Sequence, residues 1–299
     1  MRFTKAILAC AALGSAVAQR PSSTPICDYY TTALFSENSG ANQLALLTAL
    51  VNTVVIGNYT QPNVGVLVPG ILAKGTFNGT EVNLLPFFDG TANTTNRGGS
   101  AGVSVNFLDG GGATPLMQNK PAKDESSNQY FLLTHLYEFF GALLGCSLQG
   151  ASMSPFLTYA GTPSMFEVHK FMGLTPPQFG YFVTQVGLAA SSFGVAAADV
   201  QTVGSALKDL FGMRCTPEQE VLKGQGEQLQ AICVAKACPL AQGAVCARYE
   251  GGGAGAAGSG TPTAAAPSAT ASTAGAAGVG WGGMGVVAGA VWGFAVLLM

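Results

Sequence analysis

Cysteine placement bounds what this chain can fold into more tightly than any other feature. Seven cysteines are present, and Cys10 falls inside an N-terminal segment that reads as cleaved. Cys27, Cys146, Cys215, Cys233, Cys238 and Cys246 remain. An even set of this kind implies three disulfides, for which fifteen pairings exist, and an oxidising compartment in which to form them. The stretch from Cys27 to Cys246 has the size of one domain. Zinc does not account for the cysteines: there is no C-x-x-C pair, and no histidine follows His169.

Both ends agree with export. Residues 1–18 open with Arg2 and Lys5, continue through an apolar run from Ala6 to Leu13, and end on Ala16-Val17-Ala18. That is the pattern of a signal peptide, too short to span a bilayer. At the other end, residues 247–277 form a low-complexity Gly/Ala/Pro/Thr stretch, expected to be a disordered stalk that also holds an anchor-attachment region. Residues 278–299 are an apolar tail with no basic residue after it. Small residues before such a tail match a GPI-attachment signal, with Ser259, Gly260, Ser268 and Ser272 all small enough to accept the anchor. A retained span is the competing reading, since the tail has about the ~20 residues a hydrocarbon core requires. The expected location is the cell surface, on the outer face of the plasma membrane or in the wall, with the membrane as partner through the lipid anchor. Asn58-Tyr59-Thr60, Asn78-Gly79-Thr80 and Asn93-Thr94-Thr95 are glycosylation acceptors, which makes that region surface if they are used.

Charged residues make up 9% of the chain and the formal net charge is -2, so no basic patch for nucleic acid is available and no protein partner is indicated. Apolar spacing predicts helices. Leu44, Leu47, Val51 and Val54 recur at three and four residues, as do Leu132, Leu136, Phe139 and Leu143. A third helix begins at Thr175, with Pro176 at its first position and Gln178 as capping-box partner; a fourth follows the break at Gly194. Thr216-Pro217 repeats the start signal for a fifth, weakened at Gly224 and Gly226 by about 1 kcal/mol each. Only Gly102 to Leu108 alternates as a strand does, in a short hairpin arm.

His169 lies in Met165-Phe166-Glu167-Val168-His169-Lys170-Phe171-Met172-Gly173-Leu174-Thr175-Pro176-Pro177 and is one of two histidines in the chain. This run resembles the proximal-ligand segment of the truncated hemoglobins. Three other blocks carry the resemblance: Gly40 to Asn52 is similar to their first long helix, Leu84-Leu85-Pro86-Phe87-Phe88 to the turn that sets a phenylalanine against heme, and His135 to Gly145 to the distal helix. The last block runs without a gap from Tyr159 through His169 to Val195. The resemblance implies an all-α, globin-like reduced helical sandwich with long loop insertions. It also implies heme as cofactor, His169 as its metal ligand, and Phe88, Leu132, Leu136 and Phe182 as pocket lining.

Departures from the family are informative. Asn52 stands where a ligand-binding tyrosine is common, and the two inward positions of the distal helix fall on Leu132 and Leu136. His135 lands one residue from that inward line. It is a sixth ligand if the helix rotates, a contact to a propionate at the pocket edge, or a solvated side chain. Lys170, Arg97 and Lys123 are the nearest candidates to pair with propionates.

Enzyme signals are thin. Gly98-Gly99-Ser100-Ala101-Gly102 matches G-x-S-x-G, but polar Thr94 to Arg97 precedes the serine where a nucleophile elbow needs a buried strand. Asp89, Asp109, Asp124, Glu125 and Glu138 are scattered, with no two placed as a glycosidase pair. Any activity would be heme-based redox. The leading expectation is a heme-binding, globin-like surface protein that takes oxygen or another diatomic ligand. The alternative is a heme-free globin-fold glycoprotein with a structural or adhesive role in the wall.

Overall fold

Helix starts and stops in this chain are set largely by its own capping residues. In the computed structural model, which describes residues 20–95 and 101–250, seven α-helices and four short strands occur. The signal segment, Arg97, the Ser100 motif, the stretch from Gly251 and the apolar tail lie outside the described residues. Helices α1 (Ile26–Phe35) and α2 (Gly40–Ile56) are followed by strands β1 (Gly75–Phe77) and β2 (Thr80–Val82). Strands β3 (Asp89–Thr95) and β4 (Val103–Asn106) precede helices α3 (Ala113–Leu116) and α4 (Asn128–Leu143). Helices α5 (Met165–His169), α6 (Pro176–Ser192) and α7 (Ala197–Phe211) complete the set.

Ser39 caps α2 by accepting from the Asn42 amide at 3.2 Å, and Ser127 caps α4 by accepting from Tyr130 at 3.1 Å. At α6 the predicted arm of the capping box is present, with the Thr175 amide donating to Gln178 Oε1 at 2.9 Å. Helix α2 packs against α4 and α6, and α6 against α7. Leu47, Val51, Leu133, Tyr137, Val186, Leu207 and Phe211 are buried in the core between them.

The all-α expectation is corrected. Two antiparallel hairpins, β1–β2 and β3–β4, stand beside the helices, so the molecule is mixed α and β rather than an all-α globin-like sandwich. The first hairpin turns on Asn78 and Gly79, whose φ values of 50° and 77° supply the left-handed pair that a tight hairpin turn needs. The second contains the strand expected around Val103 and pairs it with Asp89–Thr95, which carries no apolar alternation. Helix α1 was not anticipated by the apolar spacing. The helix expected after Thr216 does not form; that stretch consists of turns and short bridges, with the pairs Arg214–Leu240 and Gln219–Gln228.

Three disulfides form: Cys27–Cys146, Cys215–Cys246 and Cys233–Cys238. The first closes a separation of 119 residues and ties α1 to the end of α4. Bridging so long a loop removes much of the freedom of the unfolded chain. All six cysteines expected to pair do so, which is consistent with passage through the secretory route. Packing continues past Cys246, where Tyr249 stacks edge-on against Phe166 at 4.5 Å and its hydroxyl donates to the Thr216 carbonyl at 2.8 Å. Among the described residues no single helix is long and apolar enough to cross a membrane.

Candidate functional site

Two amphipathic stripes face one cavity of about 200 Å³. On α4 the stripe is Leu132, His135, Leu136 and Phe139; on α5 and the 3-10 turn after it (Lys170–Met172) it is Met165, Val168, His169 and Met172. Each set follows the one-face spacing of a helix. Phe87 and Phe88, from the 3-10 turn Leu85–Phe87 and its cap, add a third wall, joined by Thr94 of β3. Phe179 and Phe182 of α6 close a further side. Among the described residues no charged side chain lines the cavity.

All six residues expected at a heme pocket, His169, Phe88, Leu132, Leu136, Phe182 and His135, line this one cavity. His135 does so as a full member of the α4 stripe rather than one residue off it. The chain has two histidines, and both are here. Ser164 caps α5, accepting from the Glu167 amide at 3.2 Å, and so starts the short helix that carries His169. His169 Nδ1 lies 2.8 Å from the Met165 carbonyl, one turn back. A carbonyl accepts only, so Nδ1 carries the proton and Nε2 keeps its lone pair. Among the described residues Nε2 has no hydrogen-bond partner. Burial holds the His169 imidazole below its ordinary pKa, and the Met165 hydrogen bond opposes this in part. His135 is shifted the same way, again by burial, against a weaker pull from the Phe131 carbonyl. Both rings are therefore neutral at neutral pH, the form that binds a metal.

His135 is also held by aromatic neighbours. Its ring meets Tyr159 edge-on at 5.8 Å, and Tyr159 meets Phe139 at 5.4 Å. The Tyr159 hydroxyl donates to the Thr162 carbonyl at 2.9 Å. Glu138, half-buried beside this group, has its carboxyl pushed up to about 7 by burial, with the Ala160 backbone opposing. Burial, then the Glu138 charge, pushes the Tyr159 phenol up to about 12.

Several expected contacts are not brought together. Asn52 does not reach the cavity: fully buried, it donates to the Leu116 carbonyl at 3.1 Å and accepts from the Tyr137 hydroxyl at 2.6 Å. Lys170 is buried and engaged elsewhere, 2.7 Å from Glu167 and over the ring of Phe171 at 5.3 Å. Lys123 is exposed and does not line the cavity, and Arg97 lies outside the described residues. Among the glycosylation acceptors, Asn78 sits exposed at a hairpin tip and Asn93 is exposed on β3. Asn58 is half-buried, with its side-chain oxygen accepting from the Val68 amide at 2.6 Å.

The C-terminal segment contributes what the sequence did not reveal. Ile232 lines the cavity. Beside it, Gln230 accepts from the Met165 amide at 3.1 Å and donates to the carbonyls of Pro163 at 3.1 Å and Gln219 at 3.3 Å. Ser164 Oγ donates to the Leu229 carbonyl at 2.6 Å. The residues after α7 thus clasp the start of α5 and fix the turn that presents His169. Among the described residues no group of three or more His, Cys, Asp or Glu side chains is placed to hold a metal ion by itself. Compared with known protein families, with curated proteins and with solved structures, the chain matches none.

Proposed function

We propose that the cavity binds heme, with His169 as the iron ligand and Phe88, Leu132, Leu136 and Phe182 packed on the porphyrin. One observation carries this reading: an imidazole whose Nδ1 is fixed by a backbone carbonyl, and whose Nε2 is unpartnered, lines a cavity whose described walls are largely apolar and carry no charge. Ligating histidines are oriented in this way, by giving their other ring N–H to a carbonyl or carboxylate. The oriented imidazole and the apolar walls support that assignment. Bound there, heme would supply an iron centre for a diatomic ligand or for electron exchange. The chain's own part is to offer the imidazole, hold its tautomer through Met165, and exclude water with the phenylalanine walls. The likeness to truncated hemoglobins in the blocks around Phe88, His135 and His169 supports the same reading of the site.

The protein is further proposed to be tethered at the cell surface by a lipid anchor. The three disulfides and the small-residue stretch before the apolar tail support this. The heme reading is tested by absorbance. Protein purified from cells expressing the full chain, titrated with hemin, gives a saturable Soret band, and His169→Ala abolishes or shifts it. A wild-type protein with no saturable band would refute heme binding and leave a glycosylated structural protein as the better account.

A further inference from the structure

We infer that, in the heme-free chain, Met165, His169 and Met172 form a site for one monovalent copper ion. This does not rest on the heme reading; it assigns a second occupant to the same wall. Soft cations are held by thiolate, thioether and imidazole ligands. All six described cysteines are closed in disulfides, so thioethers are the soft sulfur donors that remain among the described residues. Of the described methionines, Met117 and Met153 are exposed, whereas Met165 and Met172 line the cavity with His169 between them.

Helical spacing brings the three donors toward one point. Residues three and four apart on a helix are neighbours on one face, with Cβ atoms about 5–6 Å apart. Met165, His169 and Met172 stand at those intervals along α5 and the 3-10 turn Lys170–Met172. Because His169 gives its Nδ1 proton to the Met165 carbonyl at 2.8 Å, the lone pair on Nε2 is turned away from the backbone. Each unbranched methionine side chain has three rotatable bonds with which to carry its sulfur to a metal held at that nitrogen. The lack of a His, Cys, Asp and Glu cluster among the described residues does not bear on such a site, since two of its three donors are thioethers.

The walls also select the charge of the ion. All three donors are neutral, and among the described residues no charged side chain lines the cavity. The Born cost of entering an apolar site scales with the square of the charge, so a monovalent ion costs about a quarter as much as a divalent one. Monovalent copper combines that low charge with a preference for thioether sulfur. The Nε2 atom has one lone pair, so copper and heme exclude each other at this position.

The test uses the full chain prepared without heme, given copper kept monovalent by ascorbate and competed with the chelator bicinchoninate. Wild type should retain one copper per chain, and X-ray absorption should show one nitrogen and two sulfur ligands. Met165→Leu and Met172→Leu, which keep side-chain size, should each weaken retention at least about tenfold. Silver(I), a redox-inert stand-in, should shift the methyl resonances of Met165 and Met172 and leave those of Met117 and Met153 in place. Loss of copper from wild type to the chelator would overturn the site, as would equal retention by both leucine variants or equally tight binding of zinc. A separate hemin titration keeps the two readings apart. A Soret band in a protein that loses its copper would sink this inference alone, and retained copper without a Soret band would sink the heme reading alone.

Discussion

Replacing Gln230 by Met should loosen the turn that carries His169. Gln230 is 1% exposed and sits more than sixty residues from the helix it serves, so its side-chain amide acts as a tertiary clasp rather than a local cap. Methionine keeps the length and bulk of the side chain and opens no large cavity, so the loss is confined to polar contacts. The Met165 amide would be left buried without an acceptor, at a cost of about 1–3 kcal/mol. Loss of the bonds to Pro163 and Gln219 adds roughly 0.5–1.5 kcal/mol each, so the total is about 4 kcal/mol. In urea, with a slope of roughly 3 kcal/mol per M for a domain of this size, the midpoint falls by about 1.3 M. Should α5 open on its own before the rest unfolds, the same energy appears as faster amide exchange at Val168 and His169. An unchanged midpoint together with unchanged exchange at those amides would show that the clasp contributes nothing.

Glu138→Gln should raise stability in a pH-dependent way. Folding lifts the carboxyl from its ordinary 4.5 to about 7, so the folded state holds the proton more tightly, and the stability this gives is present below about 4.5 and lost as pH rises through about 7. Glutamine escapes that loss. Thermal melts should therefore show little difference at pH 4 and a gain of about 1 kcal/mol at pH 8, the full shift being discounted because the carboxyl is only half-buried. A gain of equal size at both values would point to packing instead. The lipid anchor is checked by intact mass: protein released from the surface should lack residues 278–299 and carry a glycolipid remnant, and recovery of Met299 would refute the anchor.

Helical periodicity was legible because each long helix buries one face. The Leu44–Val55 and Leu132–Leu143 spacings, the Thr175-Pro176 start and the Gly194 break all correspond to observed helices or their boundaries. Strands were read poorly because the hairpins here are short and half-exposed. Asn78-Gly79 is both a glycosylation acceptor and a tight-turn pair, and only the second role places the first hairpin. Strand β3, built from Asp, Gly, Thr, Ala and Asn, has no alternation to detect. The Thr216-Pro217 start failed because the segment after it is held by disulfides and by tertiary bonds from Gln230 and Gln219, which local propensity does not register. The cavity walls that are helical were visible as stripes. Ile232 and the Gln230 clasp were not, since neither sits in a periodic segment. His135, which the family resemblance sets one residue from the Leu132–Leu136 line, lines the same cavity as both leucines. Leu132, His135, Leu136 and Phe139 form an unbroken stripe on their own.

One wall of the cavity belongs to Ile232, next to the Cys233–Cys238 bridge and behind every other lining residue in the order of synthesis. A chain is made from its N-terminus, so the helices and hairpins around the cavity emerge before the piece that completes it. The enclosure is consequently a late product of maturation, finished only once translation has passed residue 232 and thiols nearby have oxidised. Any molecule held inside must be acquired by a nearly completed polypeptide, and the supply of that molecule where the disulfides form becomes a determinant of how much of the protein is loaded.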